Sequence, residues 1–136
     1  MMEEFGLGSV EMIKGLSPFP GFGATGSVCG AVSGGLFVLG LYFGSDDLTD
    51  YAATGAAMTA ARTFIPRFEA TLGSTLCPKI QEDVVFGRYL DARASAENMA
   101  AFQGERGYAK CALPAGIAAR LAAEIIIESM VGPRGE

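Results

Sequence analysis

The sequence predicts an all-α fold: a single compact domain of about five helices over residues 1–136, with a Gly/Pro-rich loop before the central helix. Three observations predict it. Leu113, Ile117, Leu121 and Ile125 recur every four residues, which lays one apolar stripe along a helix. Residues 48–72 are alanine-rich over the length of a long helix. The chain of 136 residues is half apolar, which suits one buried core, and it shows no internal repeat and no linker that separates two domains.

The elements follow in order. Residues 3–15 predict a short helix with Phe5, Val10, Met12 and Ile13 as its apolar side, weakened by Gly6 and Gly8. Ser17-Pro18-Phe19-Pro20-Gly21-Phe22-Gly23-Ala24-Thr25-Gly26 is a loop by its Pro and Gly content. Ser27 is placed to cap the next helix, which carries Cys29 in its first turn and runs to about Phe43. Residues 28–44 hold 17 positions without a charge, just under a membrane-spanning length, and no basic residues flank them. A buried central helix is therefore expected, with Gly30, Gly34, Gly40 and Gly44 letting neighbours approach.

Ser45-Asp46-Asp47 reads as a turn and cap before the helix of 48–72, in which Pro66 predicts a kink or a split. Gly73-Ser74-Thr75 ends that helix. Cys77-Pro78 opens a short helical turn, since proline suits a first turn. Val84-Val85-Phe86 reads as a brief strand or an extended link. Ser95 caps a short helix holding Met99 and Phe102, closed by Gly104 and Gly107. The last helix spans about Ala112 to Met130, with Arg120, Glu124 and Glu128 as a polar stripe, and Gly132-Pro133 stops it.

Composition excludes several classes. Ten basic residues stand against fifteen acidic ones, a net charge of −5, without a basic stripe, so nucleic-acid binding is not expected. The chain is too apolar for disorder. Three cysteines at gaps of 48 and 34 residues do not form the dense, even-numbered pattern of a secreted disulfide scaffold. Met1-Met2-Glu3-Glu4 is acidic and lacks a signal pattern, so a cytoplasmic protein is expected.

Chemistry then rests on Cys29, Cys77 and Cys111, because the chain has no histidine. All three stand where a helix is predicted to begin, and a helix N-terminus stabilises a thiolate. Structural zinc wants four Cys or His ligands in close pairs, which are absent. An iron–sulfur cluster gathers distant cysteines, and this chain offers three of the usual four. The neighbouring glycines, Gly26, Gly30 and Gly34, suit a cluster because exposed N–H groups donate to its sulfurs. Two further readings stand beside it: a reversible disulfide between two of the thiols, and three small buried hydrophobes with no redox role.

Other motifs carry less. Gly21-Phe22-Gly23-Ala24-Thr25-Gly26 fits G-x-G-x-x-G, but Ser17-Pro18-Phe19-Pro20 before it is no central strand, so a loop arching over Cys29 is the better account. Glu124 and Glu128 lack the histidines of a di-iron bundle. Arg88, Asp91 and Arg93 read as a site or a surface salt-bridge patch, and the surface is favoured because most charged residues stay solvated.

Cys29-Gly30-Ala31-Val32-Ser33-Gly34 resembles the CGAxxG motif of the C_GCAxxG_C_C family of putative redox-active proteins. Gly73-Ser74-Thr75-Leu76-Cys77 resembles that family's third-cysteine segment, and Cys111 before an amphipathic helix resembles its fourth. The family's first cysteine would lie in a helix preceding Met1. The family is also similar to the iron–sulfur domain of split-Soret cytochromes. The resemblance implies that Cys29, Cys77 and Cys111 ligate a cluster or act as metal-free redox thiols; a [2Fe–2S] type is the expectation for the cluster. A redox partner protein is expected, and a homo-oligomer or a larger complex, because a small helical domain this apolar leaves a patch to bury. The remaining reading, from a different class, is a non-catalytic helical subunit whose apolar helix 28–44 packs against a partner chain.

Overall fold

A computed structural model describes residues 2–132 and is all-helical apart from one isolated β-bridge. Gly6 and Gly8, both at φ +63°, divide the expected N-terminal helix into α1 (Met2–Phe5) and α2 (Val10–Gly15). Phe5 packs on the core. Val10, Met12 and Ile13 are exposed, so the expected apolar side is not the buried one.

The Gly/Pro loop is more ordered than its composition suggests. Gly21, Phe22, Gly23 and Ala24 lie consecutively at φ +59°, +53°, +75° and +58°. Their segment, α3 (Gly21–Ala24), is a single left-handed turn, with the Ala24 N–H donating to Pro20 O and the Thr25 N–H to Gly21 O. Such a turn strains the two residues that carry a Cβ, Phe22 and Ala24.

Three helices form the core: α4 (Gly30–Phe43), α5 (Tyr51–Leu72) and α9 (Ala112–Val131), each packed against the other two. Phe64, Phe68, Leu39 and Ile126 are its largest fully sequestered side chains. Close approach of α4 to α5 depends on Gly35: a Cβ there would lie 2.4 Å from the Phe64 ring. Of the glycines expected to let neighbours approach, Gly30 does so, toward the Pro20 backbone, and the other three do not. Gly34 and Gly40 face open space, and Gly44 abuts only the Gly40 carbonyl of its own helix. On α9 the buried face is Pro114, Ala118, Leu121, Ala122, Ile125 and Ile126. The predicted stripe is therefore half right, with Leu113 more than half exposed. Helical drift explains this, because a spacing of four over-rotates a 3.6-residue turn.

Caps correct two expectations. Cys29, not Ser27, occupies the N-cap of α4. Asp50 Oδ1 accepts from the Ala53 N–H to cap α5, whereas Asp47 closes the preceding turn on Thr49. Helix α5 runs through Pro66 without splitting and ends at Gly73, at φ +82°. The polar stripe of α9 holds as expected: Arg120 pairs with Glu124, and Arg67 of α5 clamps Glu128 through two 2.9 Å hydrogen bonds.

The least regular part carries three short helices: α6 (Cys77–Ile80), α7 (Ala96–Gly104) and α8 (Gly107–Lys110). The expected extended link at 84–86 is instead mostly the end of a π-helical turn, Gln81–Val85, continuous with α6. Ser95 caps α7 as predicted, accepting from the Asn98 N–H. Helix α9 ends before Gly132, at φ +71°; Pro133, the second half of the expected stop, lies outside the described residues. No helix among the described residues is long and apolar enough to cross a membrane.

Candidate functional site

The three cysteines reach one place by two different routes. Val28 and Leu76 form an antiparallel bridge, in which the Cys29 N–H donates to Thr75 O and the Cys77 N–H to Ser27 O, both at 2.8 Å. Alternate residues of an extended pair leave on opposite faces. Cys29 and Cys77 therefore share the face opposite Val28 and Leu76, each at the entrance to its helix. Cys111 comes from elsewhere, at the junction of α8 and α9. That junction is held close to α7 because Gly107 has no Cβ; one would meet the Phe102 ring at 2.5 Å.

Cys29, Cys77 and Cys111 all line a cavity of about 630 Å³ between α4, α6 and α9. Its walls are largely apolar, with Val38, Ile80, Pro114 and Ala118 among them. Gly30 and Gly34 line the cavity too. A Cβ at Gly34 would meet nothing within 4 Å, whereas one at Gly30 would stand 3.0 Å from the Pro20 backbone, so Gly30 is what lets that loop lie close. Gly21 also lies on the wall, where a Cβ would stand 3.7 Å from Cys77 Sγ. Gly26 is placed differently: it faces Tyr89 in a second cavity, which adjoins the first at Cys77 and Cys111.

Sequence reasoning missed Gln81. Its side chain is buried, at 8 % exposure, with Oε1 accepting from the Leu90 N–H at 2.9 Å and Nε2 donating to Cys77 Sγ at 3.5 Å. Its position one helical turn after Cys77 was the available signal. Asp91 and Arg93 both line the second cavity; Arg93 is also exposed, as expected of a surface charge, while Asp91 is half-buried. Arg88 fits its expected role by pairing with Glu105.

The thiols are free, and all three pKa values are raised. Burial is the main cause each time. At Cys29 the N–H groups of Ala31 and Val32 oppose it, so the expected helix-start effect exists but is outweighed. At Cys77 burial is reinforced by Cys29, while Gln81 opposes it. Cys111 is pushed up to about 11 by burial and then by Cys77 and Cys29. It gains no helix-start help: its N–H donates to Gly107 O, which continues the turn of α8. The expectation of three helix-start thiolates is thus corrected, because desolvation wins.

The sulfurs share a cavity without meeting at a point. Among the described residues no three Cys, Asp or Glu side chains are arranged to hold a single metal ion. A family profile described as putative redox-active protein, C_GCAxxG_C_C, matches residues 1–125. The chain belongs to that family. No curated protein and no solved structure matches it. In this C_GCAxxG_C_C protein, the motif at Cys29–Gly34 builds one wall of the cavity, and its other two cysteines complete the lining. The donor chemistry fits an iron–sulfur group: three soft sulfurs, apolar walls, and room for a group several atoms across. It stands one thiolate short of the usual four.

Proposed function

We propose that this redox-family protein holds an iron–sulfur cluster in the 630 Å³ cavity, with Cys29, Cys77 and Cys111 as its protein ligands and electron transfer as its function. The observation that carries the reading is the gathering of three cysteines, distant in sequence, on one apolar cavity. When bound, such a cluster supplies one-electron transfer.

The chain's own residues do the rest. The Val28–Leu76 bridge fixes Cys29 and Cys77 relative to one another. Gln81 directs an N–H at Cys77 Sγ, and the loop backbone at Gly21 lies near the same sulfur. Apolar walls from α4 and α9 limit water. Raised thiol pKa values fit ligation better than free-thiol chemistry. A buried thiol stays protonated until a cation takes the proton's place, whereas attack on a disulfide needs the thiolate beforehand.

The metal-free dithiol reading retains one observation in its favour: the backbone bridge that sets Cys29 beside Cys77. A reducing, cytoplasmic setting suits three unpaired thiols. Exposed Leu48, Tyr51 and Met58 near the start of α5 support association with a redox partner or a second copy.

Anaerobic reconstitution of the wild type and of Cys29→Ala, Cys77→Ala and Cys111→Ala tests the ligand set. Each substitution is expected to lower bound iron and sulfide. Undiminished iron and sulfide in all three variants overturns the reading.

A further inference from the structure

The second cavity, about 680 Å³, has a chemistry of its own. It shares Pro20, Gly21, Cys77, Gln81 and Cys111 with the first, so these residues form the partition between the two. Beyond the partition its charged lining is Asp91 and Arg93. Neither side chain makes an ion pair among the described residues, although most other cations do. Asp91 is held in place: its Oδ1 accepts from the Arg93 N–H at 3.0 Å, and its carbonyl accepts from Asn98 Nδ2 at 2.9 Å. Its carboxylate stands close enough to Cys77 to disfavour the thiolate, and close enough to Tyr89 to disfavour the phenolate.

The cavity thus offers one anion beside a sulfur, one cation, and aromatic walls from Tyr89 and Tyr108. A ligand matching it carries an ammonium for Asp91, a carboxylate for Arg93, and a short soft side chain to lie against the Cys77 and Cys111 thiols. In cysteine the nitrogen and the sulfur are two carbons apart, and the carboxylate leaves the same carbon as the nitrogen. We propose that the second cavity binds a small cysteine-type aminothiol, with its ammonium at Asp91, its carboxylate at Arg93 and its sulfur toward Cys77 and Cys111. The volume exceeds one amino acid, which admits a short cysteinyl peptide as well. Such a ligand would bring a fourth sulfur donor beside the three of the chain. That role rests on the cluster reading above, while the binding itself does not.

The test uses the full-length protein, metal-free and reduced, with S-methyl-L-cysteine as a probe that cannot form disulfides. Binding is followed by NMR titration. The result expected is saturable shifts in Tyr89 and Tyr108. Asp91→Asn and Arg93→Gln are each expected to weaken binding about tenfold or more, the effect of losing one charge-assisted contact. Arg62→Gln, on exposed α5, is expected to leave it unchanged. Asp91→Asn keeps an oxygen for the Arg93 N–H, and Arg93 is exposed, so both variants retain the fold. Absence of saturation, or wild-type affinity in either cavity variant, overturns the proposal. Because no metal is present, this outcome is independent of whether the protein holds a cluster.

Discussion

Cys29 and Cys77, 48 residues apart in sequence, are brought to one face by their own backbones: each N–H donates across the Val28–Leu76 bridge to the carbonyl two residues before the other cysteine. Side-chain chemistry plays no part in that arrangement. A protein built this way presents two sulfurs to a cavity whether or not anything occupies it. Cys29→Ala and Cys77→Ala are therefore expected to keep a wild-type far-UV spectrum and a cooperative melt, each losing no more than the few kcal/mol typical of a small core truncation, about 1–2 kcal/mol. Loss of cooperative folding in both would contradict the backbone origin of the pairing.

Cys111 makes the protein alkali-sensitive. Its thiol is raised from an ordinary value near 9.0 to about 11. The folded state holds this proton more tightly than the unfolded chain does, so the contribution is present below pH 9.0, and stability falls as pH rises toward 11. Melts of the metal-free protein across that range are expected to show a steeper decline for the wild type than for Cys111→Ala. Equal slopes would show that Cys111 titrates normally.

Gly35→Ala is expected to be the most damaging glycine substitution on α4. The added Cβ would sit 2.4 Å from the tip of Phe64, whose ring is fully buried and has nowhere to retreat. Overpacking of this kind costs about 1–3 kcal/mol. Gly34→Ala, one residue earlier and facing open space, is expected to raise stability by about 0.5–1 kcal/mol through helix propensity. Chemical denaturation of the pair checks the contrast.

Gln81→Leu removes a donor to Cys77 and strands the buried Leu90 N–H. Leaving one buried donor unpaired costs about 1–3 kcal/mol. Gln81→Glu keeps the acceptor for Leu90, so it is expected to preserve more of the amide protection there. Hydrogen exchange at Leu90 separates the two variants.

Ala24 sits at φ +58° within the left-handed turn, where a Cβ is strained. Ala24→Gly is expected to raise stability by about 0.5–1 kcal/mol, with the relief of strain exceeding the entropy that glycine adds to the unfolded chain. A lower denaturation midpoint would show that the turn is not strained at this position.

The fold was legible where local signals and packing agree. Pro78 opens α6, Gly73 closes α5 and Ser95 caps α7, each through chemistry confined to a few residues. The site was legible as three cysteines but not as a geometry. That Cys29 and Cys77 are brought to one face by a two-residue bridge depends on contacts spanning 48 residues, which no local pattern encodes. The thiol pKa values were misjudged because the helix-start effect can be read from sequence, whereas burial cannot. Asp91 and Arg93 look like any exposed charges until the π-turn and the Asx turn beside them place both at a cavity. Gly35 was hidden among neighbouring glycines, since only the position of Phe64 distinguishes it.

The central claim is that the three cysteines work together around an iron–sulfur group. Its most direct test is iron and acid-labile sulfide analysis, with an absorption spectrum, on protein purified without air. The account predicts iron and sulfide in comparable amounts and visible charge-transfer bands. Protein free of both, with Cys29, Cys77 and Cys111 all titrating as thiols, would contradict it.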